Sequence, residues 1–234
     1  MYGRFCCCKN EECGYKINVD VTGATSSVKD AETKVPRTQD RMNENIQFLQ
    51  AFLKNPTKVG SITPSSPELA RQMISGIKPD ADNVVIELGV GTGAITKHLQ
   101  KLVPDDRSYL GIELDVDLVR SLRKNYPEMQ IVRGNAVETK LIHERSGLGH
   151  VSAIICCLPF VSLPNEVGEN ILLEVDKFMQ EGCTFRTFQY AHGYYFPSAI
   201  KLREFMRNRY GKSKRSELIV KNVPPAYTLT WSTL

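Results

Sequence analysis

Three glycines alternate in Glu87-Leu-Gly89-Val-Gly91-Thr92-Gly93-Ala94, where a short apolar run passes into a helical one. Glycine lets a backbone turn tightly and approach a ligand with no Cβ in the way. The helix that follows offers unpaired N–H groups. A Gly-rich turn alone also suits nicotinamide and flavin domains, and Ala94 can replace their third glycine. The acids add discrimination. Glu87 ends the first apolar run. Glu113 ends the second, where a carboxylate accepts from both hydroxyls of a ribose. The third run ends in Gly134-Asn135-Ala136, where an amide oxygen can accept from an adenine amino group. The fourth runs into Cys157-Leu158-Pro159-Phe160.

The pattern around these residues says what positions them. Residues 42–54 carry apolar side chains at 42, 46, 49 and 53, widened by Phe48 and Phe52, which is the period of an amphipathic helix ended by Pro56. Ser66 is placed to cap, and Pro67 to open, a second helix running to about 76. Strands are expected at 83–88, 108–113, 129–132, 151–156 and 183–190. Helices are expected up to about 102 and at 116–125, 166–180 and 198–209. Residues 217–230 read as a strand, a Pro224-Pro225 turn and a last strand. Alternating strands and helices predict an α/β, mostly parallel sheet covered on both faces, with an antiparallel edge. Three parts follow: a flexible Cys-containing extension (1–40), amphipathic helices (41–80) and a ligand-binding domain (81–234).

Composition sets the outer bounds. The chain has 234 residues, a net charge of +4, 41% hydrophobic and 24% charged residues, which excludes collagen-like, coiled-coil and wholly disordered classes. No apolar run reaches the roughly 18 residues of a spanning helix. The first residues lack the apolar stretch of a secretory signal, so a cytoplasmic protein with peripheral membrane contact is expected. Of seven cysteines, Cys6, Cys7, Cys8 and Cys13 crowd the start, and the four histidines are scattered. Zinc needs about four ligands in spaced pairs, so no metal is expected.

Taken in order, the motif residues resemble the class I S-adenosylmethionine-dependent methyltransferases over about residues 41–233. The resemblance implies a Rossmann-like, seven-stranded sheet and S-adenosylmethionine as cofactor. It implies cofactor contacts from Glu87, Gly89, Gly91, Thr92, Gly93, Glu113, Leu114, Asn135, Ala136 and Leu158. Asn135 stands where that family usually has Asp. A narrower resemblance is to bacterial phospholipid N-methyltransferases. It lies in residues 52–66, in Leu158-Pro159-Phe160 and in Asn222-Val-Pro-Pro-Ala226. Those enzymes methylate phosphatidylethanolamine toward phosphatidylcholine. They in turn resemble the ribosomal RNA adenine dimethylases, whose loop after the fourth strand carries Asn where this chain has Cys157. An amide orients an exocyclic amine by hydrogen bonding and a thiol does so poorly, which disfavours a nucleobase acceptor.

Charge bears on the partner. Residues 199–222 hold eight basic and two acidic side chains, net +6 against +4 for the whole chain. Such a cluster attracts anionic lipid and nucleic-acid phosphates alike. The wide apolar face of residues 42–54 suits interfacial insertion, and equally suits docking on the domain. An amine acceptor must lose its proton before its lone pair can attack. Aromatic faces hold methylated ammonium groups. Candidate substrate contacts are Pro159, Phe160, Tyr194 and Tyr195; candidate catalytic groups are Tyr190, His192 as proton acceptor and Gln189 as orienting group. The expected activity is N-methylation of phosphatidylethanolamine on an anionic membrane surface. An RNA adenine dimethylase, a small-molecule amine methyltransferase and a noncatalytic membrane-binding module are the alternatives.

Overall fold

The computed structural model describes residues 65–233. The expected extension 1–40 and the 42–54 helix with Phe48 and Phe52 lie outside the described residues.

Helix α1 (Pro67–Ile74) opens the described chain. Ser66 caps it by accepting from the Leu69 N–H at 3.2 Å, and Pro67 occupies the first turn, where no N–H is needed. Strand β1 (Val84–Leu88) leads through the glycines to the single-turn helix α2 (Thr96–Leu99). Strand β2 (Tyr109–Glu113) is followed by α3 (Val116–Asn125), which Asp115 caps through the Asp117 and Leu118 N–H groups. Strand β3 (Ile131–Arg133), α4 (Thr139–Ser146), β4 (Val151–Cys156), α5 (Asn165–Met179), β5 (Thr184–Tyr190) and α6 (Pro197–Tyr210) complete the alternation. The short β6 (Lys214–Arg215) and β7 (Ala226–Trp231) end it.

The strands form one seven-stranded sheet in the order β3-β2-β1-β4-β5-β7-β6. The first five are parallel; β7 runs antiparallel to β5 and to β6. All five residues of β1 and of β2 are buried, as expected for strands covered on both faces. One core gathers Ile86, Leu88, Ile154, Phe178, Phe185 and Leu202 under α5 and α6. The opposite core gathers Leu69, Met73, Val85, Tyr109 and Ile155 under α1. Arg186 ties α1 to β5. Its Nη1 donates to the carbonyls of Gln72, Met73 and Ser75 at 3.2, 2.9 and 2.8 Å, placing a cation on the negative end of the helix.

Three expectations are corrected. The helix expected to reach 102 is regular only over Thr96–Leu99 and ends in turns. Helix α4 was not anticipated, because Thr139 is its only fully buried residue and its apolar period is weak. No continuous strand covers 217 to the Pro224-Pro225 turn. Regular pairing ends at Arg215, Ser216 still exchanges bonds with Thr228, and only Ile219 pairs again, with Ala226.

Candidate active site

The site lies at the C-terminal ends of the parallel strands, where open α/β sheets bind ligands. At Gly89, φ is +74°, and a Cβ there would stand 2.6 Å from Leu158 Cδ2, so the glycine lets the loops after β1 and β4 pack together. Gly91, with φ +59°, behaves differently: a Cβ there would meet nothing within 4 Å. The turn is left-handed and one side of it is open, which is the form of a ligand cradle.

Glu113 holds this cradle. One carboxylate oxygen accepts from the Gly91 N–H at 2.8 Å, the other from the Leu114 and Asp115 N–H groups at 2.8 and 3.0 Å. The residue is 2% exposed, and with three donors already bound its first oxygen keeps one lone pair for a further donor. Asn135 is buried and caps the next turn, its Oδ1 accepting from the Val137 N–H at 3.3 Å. Ala136 is buried beside it, Leu114 is half-buried and Thr92 is exposed on the Gly-rich turn.

Glu87 is fully buried. Its Oε2 accepts from Thr96 Oγ1 at 2.9 Å and from the Tyr109 hydroxyl at 2.7 Å, while its Oε1 has no partner among the described residues. Burial raises its pKa to about 7 against the pull of those two hydroxyls, with a smaller push from Glu113. Tyr109 reaches Glu87 because Gly111 leaves room: a Cβ there would stand 2.6 Å from the Tyr109 hydroxyl. Thr96 and Tyr109 were missed from sequence. Tyr109 reads as a core aromatic, and its only signal is the glycine two residues on.

Cys157 begins the loop after β4, its N–H donating to the Leu88 carbonyl at 2.9 Å. Burial pushes the thiol well above its ordinary range, helped by the charge of Glu87, so Cys157 is neutral and no thiolate nucleophile. Tyr190 belongs to the same side of the sheet; burial and the neighbouring Cys157 raise its pKa. The exposed His192 ring stacks on Tyr190 at 5.7 Å between centroids, 12° from parallel.

The remaining candidates go elsewhere. Gln189 faces α6 with both amide ends taken: Nε2 donates to the Ala199 carbonyl at 3.2 Å, and Oε1 accepts from Arg203 Nη1 at 2.6 Å. It is a packing residue, because the alternation of β5 puts it on the side opposite Tyr190. Phe160 is buried, packs 3.5 Å from the Cβ position of Gly168, and lines a cavity of about 440 Å³ between α5 and α6. The face of Tyr194 is covered by the Arg203 guanidinium at 3.9 Å, which fills the place expected for a methylated ammonium. Tyr195 is 78% exposed and meets Tyr194 edge-on, and Pro159 is half-buried in the loop before Phe160.

The sequence pattern of the ribosomal RNA adenine dimethylase family matches residues 41–191, well over half of the chain. The chain belongs to that family. It is also 31% identical over 147 residues to the ornithine lipid N-methyltransferase of Singulisphaera acidiphila, covering 62% of this chain and 77% of that one. It is 28% identical over 96 residues to ribosomal RNA small subunit methyltransferase A of Acidithiobacillus ferrooxidans, matching 40% of this chain and 34% of that relative. In fold it matches an S-adenosylmethionine-dependent methyltransferase of Anabaena variabilis. The TM-score is 0.54 at 11% identity, over 82% of this chain and 94% of that one. The Rossmann-like methyltransferase fold is thereby shown.

The protein is an S-adenosylmethionine-dependent methyltransferase. The site fits that cofactor: the open side of Gly91 leaves room, Glu113 Oε2 offers a free lone pair, and the orphan Oε1 of Glu87 suits a cation. When bound, the cofactor supplies an electrophilic methyl on a sulfonium. Glu113 and the Gly91 turn would hold it, and the ionised form of Glu87 would supply negative charge in a dry setting. No helix among the described residues is long and apolar enough to cross a membrane.

Proposed function

We propose that the protein N-methylates the amine of an amino-bearing membrane lipid, with phosphatidylethanolamine and its methylated derivatives as substrates on the way to phosphatidylcholine. The observation that carries this reading is Cys157. The loop beside the cradle presents a neutral thiol, which cannot fix the exocyclic amine of a nucleobase as an amide does. The similarity to an ornithine lipid N-methyltransferase supports a lipid amine as acceptor. Tyr190 offers a half-buried aromatic face near Cys157 for an amine as it gains methyl groups. His192, stacked on that ring and open to solvent, carries the ammonium proton away. The basic residues of α6 and β6 hold the protein on an anionic membrane surface.

The test supplies labelled S-adenosylmethionine with vesicles of phosphatidylethanolamine, vesicles of ornithine lipid, or small-subunit ribosomal RNA. Label in phosphatidylethanolamine is expected. Label in ornithine lipid alone would move the substrate, and label in RNA alone would replace the reading with the adenine dimethylase one.

A further inference from the structure

Five of the eight large apolar side chains left exposed among the described residues sit on two loops. Tyr195 (78% exposed) and Phe196 (46%) join β5 to α6; Leu218 (39%), Val220 (65%) and Val223 (68%) join β6 to β7. The loops adjoin. Tyr190 pairs with Ala226 at the end of the β5–β7 ladder, and the Ala191 N–H donates to the Pro225 carbonyl at 2.8 Å. Both therefore leave the sheet at the C-terminal end of the parallel strands, the end that carries the Gly91 cradle.

The second loop is held, not loose. Asn222 is 2% exposed; its Oδ1 accepts from the Ser66 N–H at 2.8 Å and its Nδ2 donates to the Pro224 carbonyl at 2.7 Å. That buried amide fixes a turn whose apolar side chains, Val220 and Val223, stay in solvent with Lys221 between them. Holding valines outward gives nothing to stability.

Cations border the patch. A cleft of about 320 Å³ between α6 and β6 is lined by Arg203, Arg207, Lys212 and Arg215 against one carboxylate, Glu204. Trp231 lines it too, and its buried indole N–H lacks an acceptor among the described residues. Tyr194, on the cleft wall, meets Tyr195 of the first loop edge-on at 5.4 Å, which joins cleft and patch.

We propose that these two loops insert into the surface of an anionic bilayer while the adjoining cationic cleft seats a lipid headgroup phosphate. Leu218, Val220 and Val223 suit acyl chains and do not stack on bases, and Tyr195 and Phe196 are side-chain types at home in a bilayer interface; the aliphatic majority favours a bilayer over RNA. The inference rests on the lipid reading above and names the surface that the reading requires.

The experiment uses the full chain and sedimentation with vesicles of phosphatidylglycerol or of phosphatidylcholine. Val220→Ser with Val223→Ser is expected to weaken binding to phosphatidylglycerol vesicles by about tenfold or more, the loss of two inserted side chains. Thermal stability and S-adenosylmethionine affinity are expected to stay unchanged, since both valines are solvent-exposed. Leu141→Ser, on an exposed face of α4, should bind as the parent does. Arg207→Gln with Lys212→Gln should weaken binding to phosphatidylglycerol vesicles only and flatten its salt dependence. Unchanged vesicle binding in the valine variant would overturn the proposal, as would a fall in its melting temperature, which would mean the loop packs on the chain itself. A parent that binds ribosomal RNA hairpins in preference to vesicles would also overturn it. Lipid methylation by a protein whose vesicle binding ignores the loops defeats this inference alone. Loop-dependent binding with no methyl transfer to any lipid defeats the substrate reading and leaves the docking surface standing.

Discussion

Glu87→Gln gives a direct test of the buried carboxylate. Gln keeps the shape and still accepts from Thr96 and Tyr109, but it does not titrate. Burial raises the Glu87 pKa from an ordinary 4.5 to about 7. Below 4.5 the group is protonated in both folded and unfolded chains, and its stabilising contribution is complete. As pH rises, the unfolded chain ionises first, so stability falls until the folded group also ionises near 7. Across about pH 5 to pH 8 the parent should lose about 2–3 kcal/mol more than Glu87→Gln. Urea unfolding of both proteins over that range measures the difference directly, because all other titrating groups are common to the pair. Saturating S-adenosylmethionine should shrink it, since a cationic ligand beside the carboxylate favours the ionised form. Parallel stability profiles for the two proteins would refute the reasoning and place Glu87 in water.

Glu113→Ala should weaken S-adenosylmethionine binding by about 1.5–3 kcal/mol, the scale of a hydrogen bond to a charged group, as calorimetry of the folded variant will show. Gly89→Ala puts a Cβ 2.6 Å from Leu158 Cδ2 at a φ of +74°, so a stability loss of about 1–3 kcal/mol is expected in urea unfolding. Gln189→Leu takes one acceptor from the Arg203 guanidinium, which keeps the Tyr194 carbonyl at 2.7 Å, and one donor from the Ala199 carbonyl; it should cost about 1–2 kcal/mol of stability while leaving S-adenosylmethionine affinity, measured by calorimetry, unchanged.

The strand-end cradle was legible in sequence because it is built from local motifs. Gly89, Gly91 and Glu113 end adjacent strands in a fixed topology, so their order along the chain fixes their neighbourhood. Strand β4 was readable for a similar reason: a short apolar run that begins after His150 and is stopped by Pro159. The acceptor half was not legible. Gln189 and Tyr190 are consecutive, yet β-alternation sends one to α6 and the other toward Cys157, and the aromatic count alone does not say which. Tyr194 looked free in sequence, but Arg203, nine residues on and in the second turn of α6, covers it. The loop between β6 and β7 read as a strand because its Leu-Ile-Val run alternates poorly and is apolar. Asn222 overrides that propensity by fixing the turn through Ser66, a bond between residues 156 positions apart.

The account stands or falls on the methyl acceptor. Lipid mass spectrometry of cells with and without the protein tests it most directly. The account predicts phosphatidylethanolamine species gaining one, two or three methyl groups only in cells that contain the protein, with the gain abolished by Glu113→Ala. An unchanged lipid profile, together with new dimethyladenosine in small-subunit ribosomal RNA, would contradict it.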